Sequence, residues 1–85
     1  MRLDKFLKAS RLIKRRTLAK EACDRGQVTV NNRMAKAGTE IKLDDILVIN
    51  FGNRTLKIKI VSVQENVPAK TATSLYEILE DSRSL

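Results

Sequence analysis

Two apolar stretches joined by a two-residue turn limit the architectures open to this chain. Residues 46–51 read ILVINF, residues 54–63 read RTLKIKIVSV, and a Gly-Asn pair lies between them. Glycine and asparagine favour the backbone of a tight turn. In the second stretch apolar side chains alternate with lysines, which is the period of a strand that buries one face. The sequence therefore predicts an antiparallel hairpin.

Two helices are predicted before the hairpin. A first helix over residues 4–10, capped by Asp4, would place its leucine and phenylalanine on one side and its lysines on the other. A second helix over residues 17–25 would begin with Thr17 as its N-cap and end before Gly26, a residue suited to the left-handed backbone that follows a helix. Its buried side is predicted to consist of Leu18, Ala19, Ala22 and Cys23.

Shorter elements are predicted in the rest of the chain. Residues 28–30, VTV, alternate like a strand, and the Asn-Asn pair after them is typical of a turn. Ile41 and Leu43 are candidates for another short strand. Near the end of the chain, Leu75–Leu79 is a candidate short helix beside acidic residues.

This order of elements predicts an α+β fold, with two N-terminal helices packed on a small, mainly antiparallel sheet. A chain of 85 residues has room for one hydrophobic core. We expect the folded domain to occupy residues 1–63 and a short C-terminal tail, with the candidate helix, to occupy residues 64–85.

Positive charge is concentrated in the first part of the chain. Residues 1–36 carry a net charge of +8, whereas residues 37–85 carry −1. The opening MRLDKFLKASRLIKRR contains seven Arg or Lys and a single Asp. So many cations on one side of a small domain repel one another unless an anion lies nearby. A polyanionic partner is therefore expected, which is usually nucleic acid and less often an acidic membrane surface.

Several other classes of protein are disfavoured. The chain has no His and a lone Cys23, which excludes an internal disulfide and the usual metal clusters, so no cofactor is expected. Cys23 is interpreted as a buried structural thiol. The charged start is unlike a signal peptide, and no apolar run reaches the length of a spanning helix. We therefore expect a cytoplasmic protein that does not associate with membranes.

Four segments, in this order, resemble the S4 RNA-binding domain, also called the alpha-L motif. They are RLDKFL at 2–7, RRTLAKEACDRGQVTVNN at 15–32, the Lys-Ala-Gly region at 36–38 and LDDI at 43–46. The resemblance covers about 50 of the 85 residues. Asn32 is a departure, since the family commonly has glycine there.

The resemblance implies that two helices on a small sheet present a basic, L-shaped groove to structured RNA. The N-terminus of the second helix, near Thr17, would add a phosphate site. Arginine is better suited than lysine to bidentate phosphate contacts, so the arginines are expected to contribute most. The candidate RNA-binding residues are Arg2, Lys5, Lys8, Arg11, Lys14, Arg15, Arg16 and Lys20.

The S4 domain is usually attached to an enzyme, but the remaining residues hold no catalytic constellation, so no enzymatic activity is expected. The length, the basic start and the segment SLYEILED resemble a free-standing bacterial group, the RqcP (YabO-type) ribosome-associated quality-control factors. That resemblance implies a ribosome-associated monomer that binds large subunits obstructed by peptidyl-tRNA. It would contact 23S rRNA and P-site tRNA and support alanine tailing of the stalled chain by RqcH.

The sequence is also compatible with other functions. A general rRNA-binding or ribosome-assembly factor would need the same basic surface without tRNA. A DNA-binding regulator is disfavoured because the helices precede a sheet and their linker is basic, unlike the tight turn of a helix-turn-helix. A protein-interaction module could use the apolar tail residues Leu75, Tyr76, Ile78 and Leu79.

Overall fold

The computed structural model describes residues 1–64 and 67–83. Within them, two short α-helices precede a five-stranded sheet, and a 3₁₀ helix precedes the last strand, so the predicted α+β class is confirmed. The elements are α1 Leu3–Ala9, α2 Arg16–Asp24, β1 Val28–Val30, β2 Arg33–Met34, β3 Ile46–Asn50, β4 Arg54–Ile60, the 3₁₀ helix Ala69–Leu75 and β5 Tyr76–Arg83.

The sheet is built around the predicted hairpin. Its strand order is β2-β1-β3-β4-β5, and every neighbouring pair is antiparallel. In the β3–β4 pair Leu47 lies opposite Ile58 and Ile49 opposite Leu56, and all four side chains are buried. The alternation seen in the sequence thus forms one apolar face that packs into the core.

Strand β4 ends at Ile60, three residues before its predicted end. The backbone N–H groups of Val61 and Ser62 both donate to the carbonyl oxygen of Leu75, at 2.8 and 3.2 Å. The strand ends here because these two N–H groups donate to the last residue of the 3₁₀ helix and not to a neighbouring strand.

The Asn-Asn turn after β1 adopts the geometry that its residues favour. Asn31 and Asn32 have φ values of 51° and 67°, as a two-residue hairpin turn requires. This turn joins β1 to β2, a two-residue strand that is too short to give a sequence signal. Asn32 therefore adopts the left-handed backbone for which the family commonly has glycine.

The short strand predicted at Ile41 and Leu43 does not form. Ile41 is buried in the core, Leu43 is exposed, and the side chain of Asp45 accepts a hydrogen bond from the backbone N–H of Lys42 at 2.9 Å. Asn31 also donates to the Asp45 carboxylate at 3.1 Å. These bonds hold residues 42–45 as a turn against the β1–β2 connection.

The prediction of a short helix at Leu75–Leu79 is wrong. Tyr76–Arg83 forms an edge strand paired with β4, so the tail extends the sheet across the predicted boundary between residues 63 and 64. The register shifts between Lys57 and Ile58, where the tail contributes an extra residue. The division at residue 63 stays a prediction, and residues 65, 66, 84 and 85 of the predicted tail lie outside the described residues.

One hydrophobic core joins the helices to the sheet. In α2 the buried side chains are Ala19 and Cys23, whereas Leu18 is 47% exposed, contrary to prediction. The prediction of a buried thiol is confirmed, and burial raises the pKa of Cys23 to about 11. The largest fully buried side chains are Phe6, Leu3, Leu7, Leu47, Ile49, Leu56, Ile58, Ile60, Leu75 and Val28.

Both helices begin one residue earlier than predicted, and neither begins with a side-chain cap. Asp4 and Thr17 lie inside the first turns of α1 and α2 and are not N-caps. None of the helices in the described ranges is long and apolar enough to cross a membrane.

The connection between the helices contains a strained residue. Arg11 has φ 63°, a left-handed conformation that costs a non-glycine residue about 1–2 kcal/mol. Arg11→Gly is expected to raise the free energy of unfolding by about 0.5–1 kcal/mol, the relief being partly offset by the extra freedom of glycine in the unfolded chain. Urea denaturation measures this, and Arg11→Ala, which removes the same charge, should show no such gain. Equal stabilisation by both variants would contradict the assignment to strain.

Candidate RNA-binding surface

A single carboxylate joins the start of α1 to the start of α2. Asp4 is 2% exposed, and its Oδ1 accepts hydrogen bonds from Arg2 Nε at 3.1 Å and from the backbone N–H of Lys5 at 2.9 Å. Its Oδ2 accepts from Arg16 Nε at 3.1 Å and from Arg2 Nη2 at 3.4 Å. Asp4 therefore holds two arginines that are fourteen positions apart on one side of the domain.

The two arginines remain accessible although both are ion-paired. Their side chains are 49% exposed for Arg2 and 45% for Arg16, whereas that of Asp4 is 3% exposed. Each guanidinium has five N–H donors, and the one carboxylate that both arginines share cannot accept hydrogen bonds from all of them. Donors on both arginines are therefore left for an anion that approaches from solvent.

These residues line a shallow groove of about 310 Å³ between the two helices. Besides Arg2, Asp4 and Arg16, the lining includes Thr17 and Lys20 from the first turns of α2. The groove thus combines three cations, one carboxylate and one hydroxyl. A phosphate that entered it would meet a net positive charge and planar guanidinium donors, which suit bidentate contact.

The pKa of Asp4 reflects two opposing effects. Burial disfavours its charged form, but the hydrogen bonds from Arg16 and Arg2, the charge of Arg16 and the N–H of Lys5 outweigh burial. The pKa of Asp4 is therefore lowered from its ordinary value of 3.8. The carboxylate stays ionised, and keeps both arginines in place, throughout the neutral range.

This pKa predicts how stability depends on pH. A lowered pKa in the folded state means that the stabilisation is complete above the unfolded value and is lost as pH falls through the folded one. At pH 7 Asp4→Asn is expected to lower the free energy of unfolding by about 1–3 kcal/mol, and the difference should shrink below pH 4. Urea denaturation at pH 7 and pH 3 tests this.

Asp44→Asn is the matched control for that experiment. The Asp44 side chain is 81% exposed, and its φ of 72° suits asparagine, so its effect should be small at both pH values. A stability difference for Asp4→Asn that is the same at pH 7 and pH 3 would contradict the assigned role of the carboxylate.

The structure brings three of the eight predicted RNA-binding residues together in the groove, Arg2, Arg16 and Lys20. The other five lie outside its lining. Lys5 and Lys8 are on α1, and the remaining three lie between the helices. Lys5 is half-buried, whereas the other four, Lys8, Arg11, Lys14 and Arg15, are exposed.

From the sequence, Asp4 was interpreted chiefly as a helix cap and local salt-bridge partner; its ion pairs with Arg2 and Arg16 are present, but its role in joining the two helix starts was missed. The available signal was a lone acid among seven cations in the first sixteen residues. Thr17 was expected to be an N-cap and instead lines the groove. Among the described residues, no group of three or more acidic, His or Cys side chains is placed to hold a metal ion.

Comparison with known proteins gives a consistent family assignment. The S4 domain family model matches residues 1–47. A protein of Halalkalibacterium halodurans named RQC P-site tRNA stabilizing factor is 56% identical over 81 residues, which span 95% of this chain and 92% of that protein.

Solved structures share the fold over nearly the whole chain. The trimeric structure of Vibrio cholerae heat shock protein 15 matches with a TM-score of 0.86 and 29% identity, covering 92% of this chain and 80% of that one. The solution structure of the hypothetical protein HP1423 matches with a TM-score of 0.80 and 33% identity, covering 94% of this chain and 98% of that one. The S4-like fold predicted from the sequence is therefore confirmed. The chain belongs to the S4 domain family, in the group of relatives named RQC P-site tRNA stabilizing factor.

Proposed function

We propose that this protein is an RNA-binding factor of bacterial ribosome-associated quality control. It binds large ribosomal subunits obstructed by peptidyl-tRNA and contacts 23S rRNA and the P-site tRNA. In doing so it supports RqcH-dependent addition of alanine to the stalled chain. It acts in the cytoplasm, on the ribosome, as a monomer and without catalysing a reaction.

The observation that carries this proposal is the pair of arginines ordered by Asp4. Arg2 Nε and Arg16 Nε both lie 3.1 Å from the Asp4 carboxylate, and about half of each side chain is exposed. Because their orientation is fixed before binding, less side-chain entropy is lost when they meet a phosphate. The name of the relatives, which specifies a P-site tRNA, supports the choice of RNA partner.

The other predicted cations would extend the contact beyond the groove. Lys8 is exposed on α1, and Lys14 and Arg15 are exposed in the connection to α2. A surface with cations on two helices and their connection can touch two RNA segments at once, as binding between rRNA and tRNA requires. Contacts of this kind read the shape and backbone of RNA more than its sequence.

Sedimentation of a cell lysate through a sucrose gradient tests the proposal. We expect the protein to be enriched on free large subunits and to leave them when peptidyl-tRNA is released. Equal binding to empty large subunits would contradict the requirement for tRNA and favour a general rRNA-binding or assembly factor. Absence from all ribosomal fractions would contradict the proposal as a whole.

A further inference from the structure

The guanidinium of Arg2 is bounded by a second element besides Asp4, the turn formed by residues 36–39. A Cβ atom added to Gly38 would lie 3.6 Å from Arg2 Nη2 and 3.7 Å from Arg2 Cζ. The guanidinium of Arg2 therefore lies close both to the Asp4 carboxylate and to position 38.

The turn is held firmly against the start of α1. The carbonyl oxygens of Ala37 and Thr39 accept hydrogen bonds from the backbone N–H groups of Asp4 and Leu3, at 3.1 and 2.9 Å. Inside the turn, the N–H of Lys36 donates to Thr39 Oγ1 at 2.9 Å, and the N–H of Thr39 donates to the Lys36 carbonyl at 3.0 Å. The turn cannot move away from Arg2 without breaking bonds to the first turn of α1.

The backbone conformation does not explain why glycine occupies position 38. Positive φ is found at Gly26 and Gly52 but not at Gly38, so a left-handed backbone does not require glycine there. Its distinguishing property is therefore the space that it leaves beside Arg2. An alanine methyl group would make an ordinary van der Waals contact there. Since a Cβ at this position already touches Arg2, we expect a larger side chain such as leucine to crowd the guanidinium.

We infer that Gly38 is a positioning residue for RNA binding, because its lack of a side chain keeps open the slot in which Asp4 orients Arg2. This inference rests on the proposed RNA-binding function of the groove. It adds a residue that carries no charge and has no side chain. The residue acts only through Arg2.

A double-mutant cycle on binding to large subunits carrying P-site peptidyl-tRNA tests this inference. Gly38→Leu is expected to weaken binding about tenfold, the size of a lost charged hydrogen bond, whereas Gly38→Ala should stay within about twofold. In an Arg2→Ala background, Gly38→Leu should cause no further loss, because the residue through which it acts is already gone. Losses that multiply in the double variant would overturn the inference.

A readout without RNA separates this inference from the proposed function. Titration of the Asp4 carboxyl group, followed by NMR, should show that Gly38→Leu raises its pKa toward the ordinary value, while Gly38→Ala leaves it unchanged. An unchanged Asp4 pKa in folded Gly38→Leu would overturn the inference whatever the RNA result. Failure of the wild-type protein to bind the subunits, with the Asp4 pKa raised in Gly38→Leu, would overturn the proposed function while still showing that Gly38 controls the orientation of Arg2. Urea denaturation of each variant establishes that it is folded.

Discussion

Replacing Arg2 and Arg16 together by alanine is expected to weaken binding to large subunits carrying P-site peptidyl-tRNA by about a hundredfold or more. Each arginine can supply a charge-assisted hydrogen bond to phosphate, worth about 1.5–3 kcal/mol when lost. The two side chains share the Asp4 carboxylate, so each single variant also disturbs the other arginine. The effects of the single variants are therefore expected not to add.

The salt dependence of binding provides a second measurement on the same variants. Each lost phosphate contact should reduce the slope of log K against log salt by about 0.7–0.9. Lys70→Ala/Arg83→Ala is the matched control, because it removes two exposed cations from the 3₁₀ helix and β5, outside the candidate surface. If the control weakened binding as much as Arg2→Ala/Arg16→Ala, net charge rather than the groove would govern binding.

The largest loss of stability is expected for Phe6→Ala. Phe6 is fully buried, and its removal leaves a cavity between α1 and the core, which typically costs about 3–5 kcal/mol. A domain of this size is stabilised by of order 5–10 kcal/mol, so the variant should lie close to unfolding at 37 °C. The free energy of unfolding in urea, measured at 25 °C, tests the prediction directly.

Phe51→Ala is a matched control, because it makes the same chemical change at a 38% exposed position. Phe51 lies after β3, with the Arg54 guanidinium 6.0 Å from its ring centroid, and a loss of about 1 kcal/mol or less is expected. Similar losses at the two positions would contradict the placement of Phe6 at the centre of the core.

The central hairpin could be predicted because its signal is local. Alternation in residues 54–60 marks the buried face, and Gly52, with φ 92°, suits the turn. Both helices were found for the same reason, with their starts displaced by one residue. The displacement at α1 has a tertiary cause, since its first two N–H groups are satisfied by carbonyls of Ala37 and Thr39.

The last strand could not be predicted because its cause is not local. Residues 75–79 have apolar side chains at the spacing of a short helix, so the sequence favoured a helix. In the folded chain, β4 presents a row of backbone donors and acceptors at its edge, and the tail pairs with them over Tyr76–Arg83. Pairing with an existing edge outweighs the weak helical preference of so short a segment.

The sequence by itself determined the α+β class, the central hairpin and the basic character of the first sixteen residues, because these depend on periodicity and charge along the chain. Only the tertiary structure decided which of the cations meet. Arg2 and Arg16 converge because the buried carboxylate of Asp4, on α1, accepts hydrogen bonds from both. Neither the length nor the charge of the segment between the helices predicts this contact. The space at Gly38 is likewise a tertiary property, since it exists only where the 36–39 turn docks on the start of α1.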